Sequence, residues 1–234
     1  MTNKTRLTSE ELAGAMSEFW CYLTPQERDE VVDNVVVRSV KKGEYIYHSD
    51  EEPVYLICIA QGTVKLEKFG VGGRTQIMRL LMASQCFGYR SFFADEAHVT
   101  QAVAVEQCQL VCLPMNIVEK MVRENGNLAL YFIRELAHDL GVSDKRTVNL
   151  TQKHIRGRLA DSIIFLIDKY GLDADGCSLN IYLSREELAC LSNMTTSNAI
   201  RTLGEFVKEG ILLVDGRRIK VLQPEKLHRI NACG

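Results

Sequence analysis

The 234-residue sequence has no apolar run approaching the ~20 residues that a bilayer-spanning helix needs, so no membrane partner is expected. Met1 to Arg6 are polar and basic with no apolar core behind them, so no secretion signal is expected and the chain reads as cytoplasmic. Charge of one sign is also lacking. Lys and Arg number 28 against 30 Asp and Glu, a net charge of −2 that excludes a polybasic, histone-like binder. The five histidines (48, 98, 138, 154 and 228) show no H-x-H or H-E-x-x-H spacing. The eight cysteines (21, 58, 86, 108, 112, 177, 190 and 233) include no C-x-x-C pair and no haem-attachment motif. On a strand rising ~3.3 Å per residue, the nearest pair, Cys108 and Cys112, would be about 13 Å apart, too far to share one ion. In a reducing compartment such cysteines are expected to act as small buried apolar residues. No metal site is expected from them. No G-x-S-x-G, Walker loop or zinc-protease motif occurs, so no catalytic residue can be named.

What is present falls into three parts. The first reads as β. Residues 8–20 suit an amphipathic helix with Leu12, Ala13, Met16 and Phe19 or Trp20 on one face, and Thr24-Pro25 starts another. From Val35 come short strands between turns: 35–37, 45–47, 55–59, 64–69, 77–82, 103–105 and 110–113, with Gly70-Val71-Gly72-Gly73 as one turn. That spacing predicts a β-sandwich or barrel-like roll. The second part, 127–152, is a long helix. Ala129, Ile133, Leu136, Leu140, Ser143, Thr147 and Leu150 recur at alternating 4 and 3, which predicts a coiled-coil seam. Ile133, Leu140 and Thr147 take a positions, and Leu136, Ser143 and Leu150 take d positions. The alternative is a helix packed only on its own β domain, a contact Phe132 and Val148 could also make. Gln152-Lys153-His154 reads as a hinge before a helix over 153–170.

The third part is the most specific. Ser184-Arg185-Glu186-Glu187 is a capping box opening a short helix with Leu188, Ala189 and Leu191 inward. Asn193 suits a sharp left-handed turn, and Thr195 caps the next helix. In that helix Ala199, Leu203 and Phe206, with Ile200 and Val207, face inward, while Thr196, Ser197, Asn198 and Arg201 stay exposed. Gly210 ends it. Two strands then flank Asp215-Gly216, carrying Arg217, Arg218 and Lys220 within reach of phosphates. Helix, tight turn, polar-fronted helix and basic wing, in that order, predict a winged helix-turn-helix on double-stranded DNA. The charge agrees: residues 1–150 carry −4 and residues 151–234 carry +2.

Taken whole, the order resembles the Crp/Fnr family of bacterial transcription regulators. The resemblance rests on Leu183 to Ala189, on Asn193 to Leu203, and on Gly43, Gly62 and Gly88. It implies an α+β chain: a cyclic-nucleotide-binding-like β-roll (jelly roll) with N-terminal helices over 1–126, a dimerisation helix over 127–152, and a winged helix-turn-helix over 153–234. It also implies a homodimer on a palindromic promoter site, controlled by an effector in the β-roll, with RNA polymerase as a partner if the protein activates. Other readings stay open. One is a haem, nitric-oxide or redox sensor of the same family, with Phe87, Tyr89, Phe92, Phe93 and His98 forming an aromatic pocket. Another is a metal enzyme of the β-roll kind with a helical tail, and a third is a winged helix used for protein contacts.

Carried over residue by residue, the resemblance places base readout on Thr196, Ser197 and Arg201. Asn198 touches an adenine or a phosphate. Arg201 matches the family's arginine, suited to guanine O6 and N7. Thr196 and Ser197 depart from the Arg-Glu and Val-Glu pairs of the better-known branches, which implies a different half-site. The effector pocket would comprise Gly88, Tyr89, Arg90, Thr100, Ser143 and Asp144. The cyclic-AMP pattern is broken there: Tyr89 stands where a glutamate binds the ribose, and Val99-Thr100 stands where Arg-Ser binds the cyclic phosphate. Arg90 is the available substitute cation. An iron–sulfur cluster is not expected, because only Cys21 precedes Cys58.

Overall fold

Thr8 and Thr24 open the first helices in the same way. Each hydroxyl accepts from the amide three residues on, and the glutamate there (Glu11 or Glu27) reaches back to the threonine N–H. This satisfies two end groups that a helix start leaves without partners. They begin α1 (Ser9–Ala15) and α3 (Pro25–Asn34). The single helix expected over 8–20 is interrupted at Met16, so a separate turn, α2 (Ser17–Trp20), carries Phe19 and Trp20 inward. The computed structural model describes residues 8–70 and 73–233. The stretch Met1–Arg6, and Val71 and Gly72 of the expected turn, lie outside them. The chain divides into two compact units. One takes the chain to Gly73 together with Ile77–Leu140. The other takes Arg74–Gln76 and everything from Gly141.

The first unit holds two four-stranded sheets. With β1 (Val36–Val40), β2 (Tyr45–Tyr47), β3 (Tyr55–Gln61), β4 (Val64–Phe69), β5 (Thr75–Leu81), β6 (Cys86–Phe87), β7 (Gln101–Ala104) and β8 (Cys108–Pro114), their orders are β1-β8-β3-β6 and β2-β7-β4-β5. Side chains alternate between strand faces, and in β3 and β8 both faces are buried. Ile57, Ile59, Leu110 and Cys112 enter a cluster with Ile46, Tyr47, Leu66 and Phe87 from the strands of both sheets. Leu56, Cys58, Val111 and Leu113 enter a second cluster with α1, α2 and four further helices. That double burial explains why β3 and β8 read as continuous apolar runs.

Two of these helices are not evident from the sequence: α4 (Tyr89–Phe93) and α5 (Met115–Glu124). Two of the cysteines expected as separate buried thiols are joined. Cys58 and Cys86 face each other across β3 and β6 and form a disulfide. Cys108 and Cys112 are buried on β8, and burial pushes the Cys112 thiol up to about 11.

Asn125 starts α6 (Gly126–Gln152) by accepting from the amides of Asn127 and Leu128, both at 3.1 Å. Its buried side is Leu128, Tyr131 and Phe132, as expected for Phe132. Leu136 is partly buried against the same core rather than standing with the exposed residues. Up to Leu140 the exposed apolar residues are therefore Leu130, Ile133, Ala137 and Leu140: Ile133 and Leu140 stand as expected, while Leu130 and Ala137 take the places expected for Ala129 and Leu136. Val148, the other residue that could pack on the β domain, is half exposed.

In the second unit, α7 (Ile155–Tyr170) begins two residues later than expected, because His154 adopts the extended conformation of an N-cap. The end of α6 is tied to this unit. Arg146 donates to the Leu191 carbonyl at 2.9 Å, Asn149 to Asp161 at 3.2 Å, and Lys153 to Asp161 at 2.8 Å and Asn231 at 2.6 Å. The expected hinge, Gln152-Lys153-His154, thus breaks the helix but is fastened by Lys153. The remaining elements are α8 (Arg185–Leu191), α9 (Thr196–Lys208), β9 (Leu212–Asp215), β10 (Arg218–Val221) and α10 (Pro224–Cys233). The last has no counterpart among the expected elements and packs on α7.

Candidate nucleic-acid interface and sensor cassette

The capping box expected at Ser184 forms: its hydroxyl accepts from Glu187 N at 3.1 Å, and the Glu187 carboxylate accepts from Ser184 N at 2.7 Å. Asn193 adopts the left-handed conformation (φ 49) that turns the chain between α8 and α9. The Thr195 hydroxyl accepts from Asn198 N at 3.2 Å and caps α9. Ala199, Thr202, Leu203 and Phe206 are buried, at spacings of 3, 1 and 3 that define a narrow arc. Ile200 and Val207, expected inward, lie beyond that arc's edge, 53% and 41% exposed. The outward surface of α9 thus presents Thr196, Ser197, Ile200 and Arg201. Asn198 Oδ1 accepts from Arg201 Nη2 at 3.3 Å and so steadies the guanidinium.

β9 and β10 pair from Asp215↔Arg218, so the loop is Gly216-Arg217, one residue later than expected. Gly216 supplies the positive φ of 53. The wing cations are not equivalent. Arg218 donates to Ser178 at 3.0 Å and lies 3.3 Å and 3.4 Å from Asp173 and Asp175. Lys220 pairs with Asp175 at 3.1 Å. Hydrogen bonds from the Ser178 hydroxyl and from the Ser178 and Cys177 amides hold the Asp175 carboxyl well below the usual range. Arg218, expected as a phosphate ligand, is therefore engaged within its own unit, whereas Arg217 at the tip is exposed.

In the first unit, Gly88 (φ 97) starts α4, and a Cβ there would meet the Tyr55 carbonyl oxygen at 2.6 Å, so only glycine fits. The five aromatics expected in one pocket separate into two groups. Tyr89 and Phe93 pack on Phe132, each with its ring centre 5.2 Å away, and Phe92 packs on Phe93. Phe87 lies against Tyr47, which also stacks on the His98 ring at 3.7 Å and 9°. Tyr89 is 2% exposed and turned into the core, and burial pushes its hydroxyl up to about 12. Arg79 and Asp139 pair beside it at 2.6 Å. Arg90 is paired to Glu96 at 2.5 Å, and Thr100 is hydrogen-bonded to Tyr47. Ser143 and Asp144 belong to the other unit and are exposed.

These residues do not fit a cyclic nucleotide. The residue that the resemblance sets against the ribose is a buried tyrosine, the one it sets against the cyclic phosphate is the uncharged Val99, and Arg90 is paired with Glu96. An open cleft of about 990 Å³, lined by Val54, Phe92, Phe93 and Met115 among others, touches none of Gly88, Tyr89, Arg90 or Thr100.

Burial lowers the pKa of His98. The fold therefore favours the neutral ring, and the unfolded chain binds more protons as the pH drops. Its contribution is intact above the ordinary histidine value of about 6.5 and is lost as pH falls below it. Urea unfolding should show the wild type losing more stability between pH 7.5 and 5.5 than His98→Phe, which keeps a flat ring against Tyr47. Parallel curves would mean that His98 titrates as it does in the unfolded chain.

A β-roll sheet pair before a helix-turn-helix with an exposed polar helix front defines a DNA-binding transcription regulator. Residues 37–125 match the cyclic nucleotide-binding domain family, and residues 157–230 match the Crp-like helix-turn-helix domain family. The chain belongs to the Crp/Fnr family of transcription regulators. It is 23% identical over 180 residues to an anaerobic regulatory protein of Bacillus subtilis (strain 168), covering 76% of each chain. It is also 23% identical over 197 residues to a global nitrogen regulator of Nostoc sp. (strain PCC 7120), covering 83% of this chain and 88% of that one. In fold it resembles FixK2 from Bradyrhizobium japonicum, with a TM-score of 0.76 at 22% identity over 86% of this chain and 98% of that one.

Proposed function

We propose that the chain works as a homodimer that reads a near-palindromic promoter site through α9, with the β-roll unit sensing the signal. The observation that carries this is the front of α9. Thr196, Ser197 and Arg201 are exposed there, and Asn198 holds the guanidinium in place. An arginine so presented suits a bidentate contact to guanine. Ile200 adds an apolar surface of the kind that meets a thymine methyl group. The second copy is expected along α6, where Leu130, Ile133 and Leu140 are 47%, 59% and 63% exposed. On this reading the sensor occupies 1–126, the pairing helix 127–152 and the DNA-binding domain 153–234. The broken cassette argues for a signal other than cyclic AMP.

The wing provides the test. Arg217→Ala should weaken binding to any duplex by a similar factor and reduce the slope of log affinity against log salt by about one. Arg218→Ala removes a cation already occupied by Asp173 and Asp175, so that slope should stay put while the wing is loosened. Fluorescence anisotropy at several salt concentrations separates the two. A steeper loss for Arg218→Ala would reassign the phosphate contact.

A further inference from the structure

We propose that Cys58 and Cys86 form a reversible thiol–disulfide site through which the redox state of the sensor unit acts on α6. The idea rests on the reading of α6 as the helix that joins two copies. The two residues are register partners on β3 and β6, and these strands share just one further pair, Ile57↔Phe87. β6 is a two-residue edge strand, held further by Ile59 N to Gln85 O at 3.0 Å and Ser84 N to Ile59 O at 2.8 Å. With so short a ladder, the covalent link is a large part of what fixes residues 84–87.

From Cys86 the chain reaches α6 within three residues. Phe87 leads to Gly88, seated against the Tyr55 carbonyl, and then to Tyr89. The Tyr89 ring lies 5.2 Å from Phe132 on the buried side of α6. Both cysteines share one apolar cluster with Tyr89, Phe132 and, from α1, Leu12 and Ala15. α1 also touches the preceding turn, where the Ser84 hydroxyl donates to the Gly14 carbonyl at 3.2 Å. Loss of the link would free β6, and with it the seat of Tyr89 against the helix whose other side carries Leu130, Ile133 and Leu140.

The oxidant required is a low-molecular-weight disulfide, RSSR. Cys86, 8% exposed against 0% for Cys58, is the thiol that attacks first. Its thiolate bonds to one sulfur of RSSR, the S–S bond breaks, and RS⁻ leaves and takes up the proton Cys86 gave up. The Cys58 thiolate then displaces the second RS⁻ from the mixed disulfide, and its proton ends on that thiol. Two protein thiols are oxidised to one disulfide while RSSR is reduced to two RSH. Excess thiol runs the sequence backwards. The disulfide form is the seated, DNA-competent one.

The experiment compares the full chain held in dithiothreitol with the same chain re-oxidised in glutathione disulfide. Alkylation with mass analysis reads each cysteine, hydrogen exchange reads residues 84–93, and binding uses a duplex selected from a randomised pool. Cys58 and Cys86 should switch together. Reduction should speed exchange over 84–93 by about tenfold and weaken duplex binding at least fivefold. Both differences should vanish in Cys58→Ala/Cys86→Ala or, if that chain does not fold, in Cys86→Ser alone. The proposal is overturned if the native reduced chain does not form the bond. It is equally overturned if the two states share exchange rates and affinity, or if the response survives in the variants. A redox-dependent exchange difference without duplex binding in either state would uphold the thiol site and refute the DNA-binding reading.

Discussion

The Ile133→Glu/Leu140→Glu chain should sediment as a monomer where the wild type sediments as a dimer, and its affinity for the operator should fall by about 100-fold or more. Ile133 and Leu140 are the most exposed large apolar residues on α6. Covering such a side chain is worth roughly 1.5–3 kcal/mol, and a pair of copies covers each twice. A glutamate in the same place would have to lose its water or keep the helices apart. The loss on DNA stems from tethering, since a dimer brings its second reading helix at high effective concentration once the first has bound. Leu136→Glu is the informative control. Leu136 is packed on its own unit's core, so that change should cost stability first and association only as a consequence. A double variant that stays dimeric in sedimentation velocity would place the joint elsewhere than the Leu130–Leu140 stripe.

Arg201→Ala should cost roughly 1–3 kcal/mol of specific binding and relax the preference at one base pair in each half-site. Binding to unrelated duplex should change little, because a base-edge contact carries sequence information that phosphate contacts do not. Asn198→Ala should act in the same direction with a smaller loss. Asn198 reaches the guanidinium at 3.3 Å and limits its freedom, so removing it leaves the contact possible but less prepared. Competition binding against single-base variants of the selected site checks both. Unchanged discrimination in Arg201→Ala would remove the residue from base readout.

The parts legible in the sequence are those with local causes. Ser184, Asn193, Thr195 and Gly210 each solve a problem within four residues of themselves, and each stands where its residue type implies. Gly88 is different: it is singled out by the resemblance, and its reason, the Tyr55 carbonyl 33 residues away, is not local. Periodicity is weaker evidence, because it gives an arc without saying which edge is covered. Leu136, Ile200 and Val207 differ from expectation for that reason, each at the margin of its helix's buried face. β6 has two residues and α4 five, too short to show any period. α5 does carry a signal, in Met115, Val118 and Met121 behind Pro114, but it merges with the apolar run of β8 just before it. Tertiary partnerships are not readable at all. Nothing local joins Cys58 to Cys86, 28 residues apart, or places Asp173 and Asp175 against Arg218.

The most direct test of the account is selection of DNA from a fully randomised duplex pool by the full chain, with the mass of the resulting complex. Two inverted half-sites about one helical turn apart, roughly 34 Å centre to centre, should emerge, bound by two chains. A guanine should fall at the position that loses its preference in Arg201→Ala. Enrichment of a single asymmetric site bound by one chain, or no enrichment at all, would contradict it.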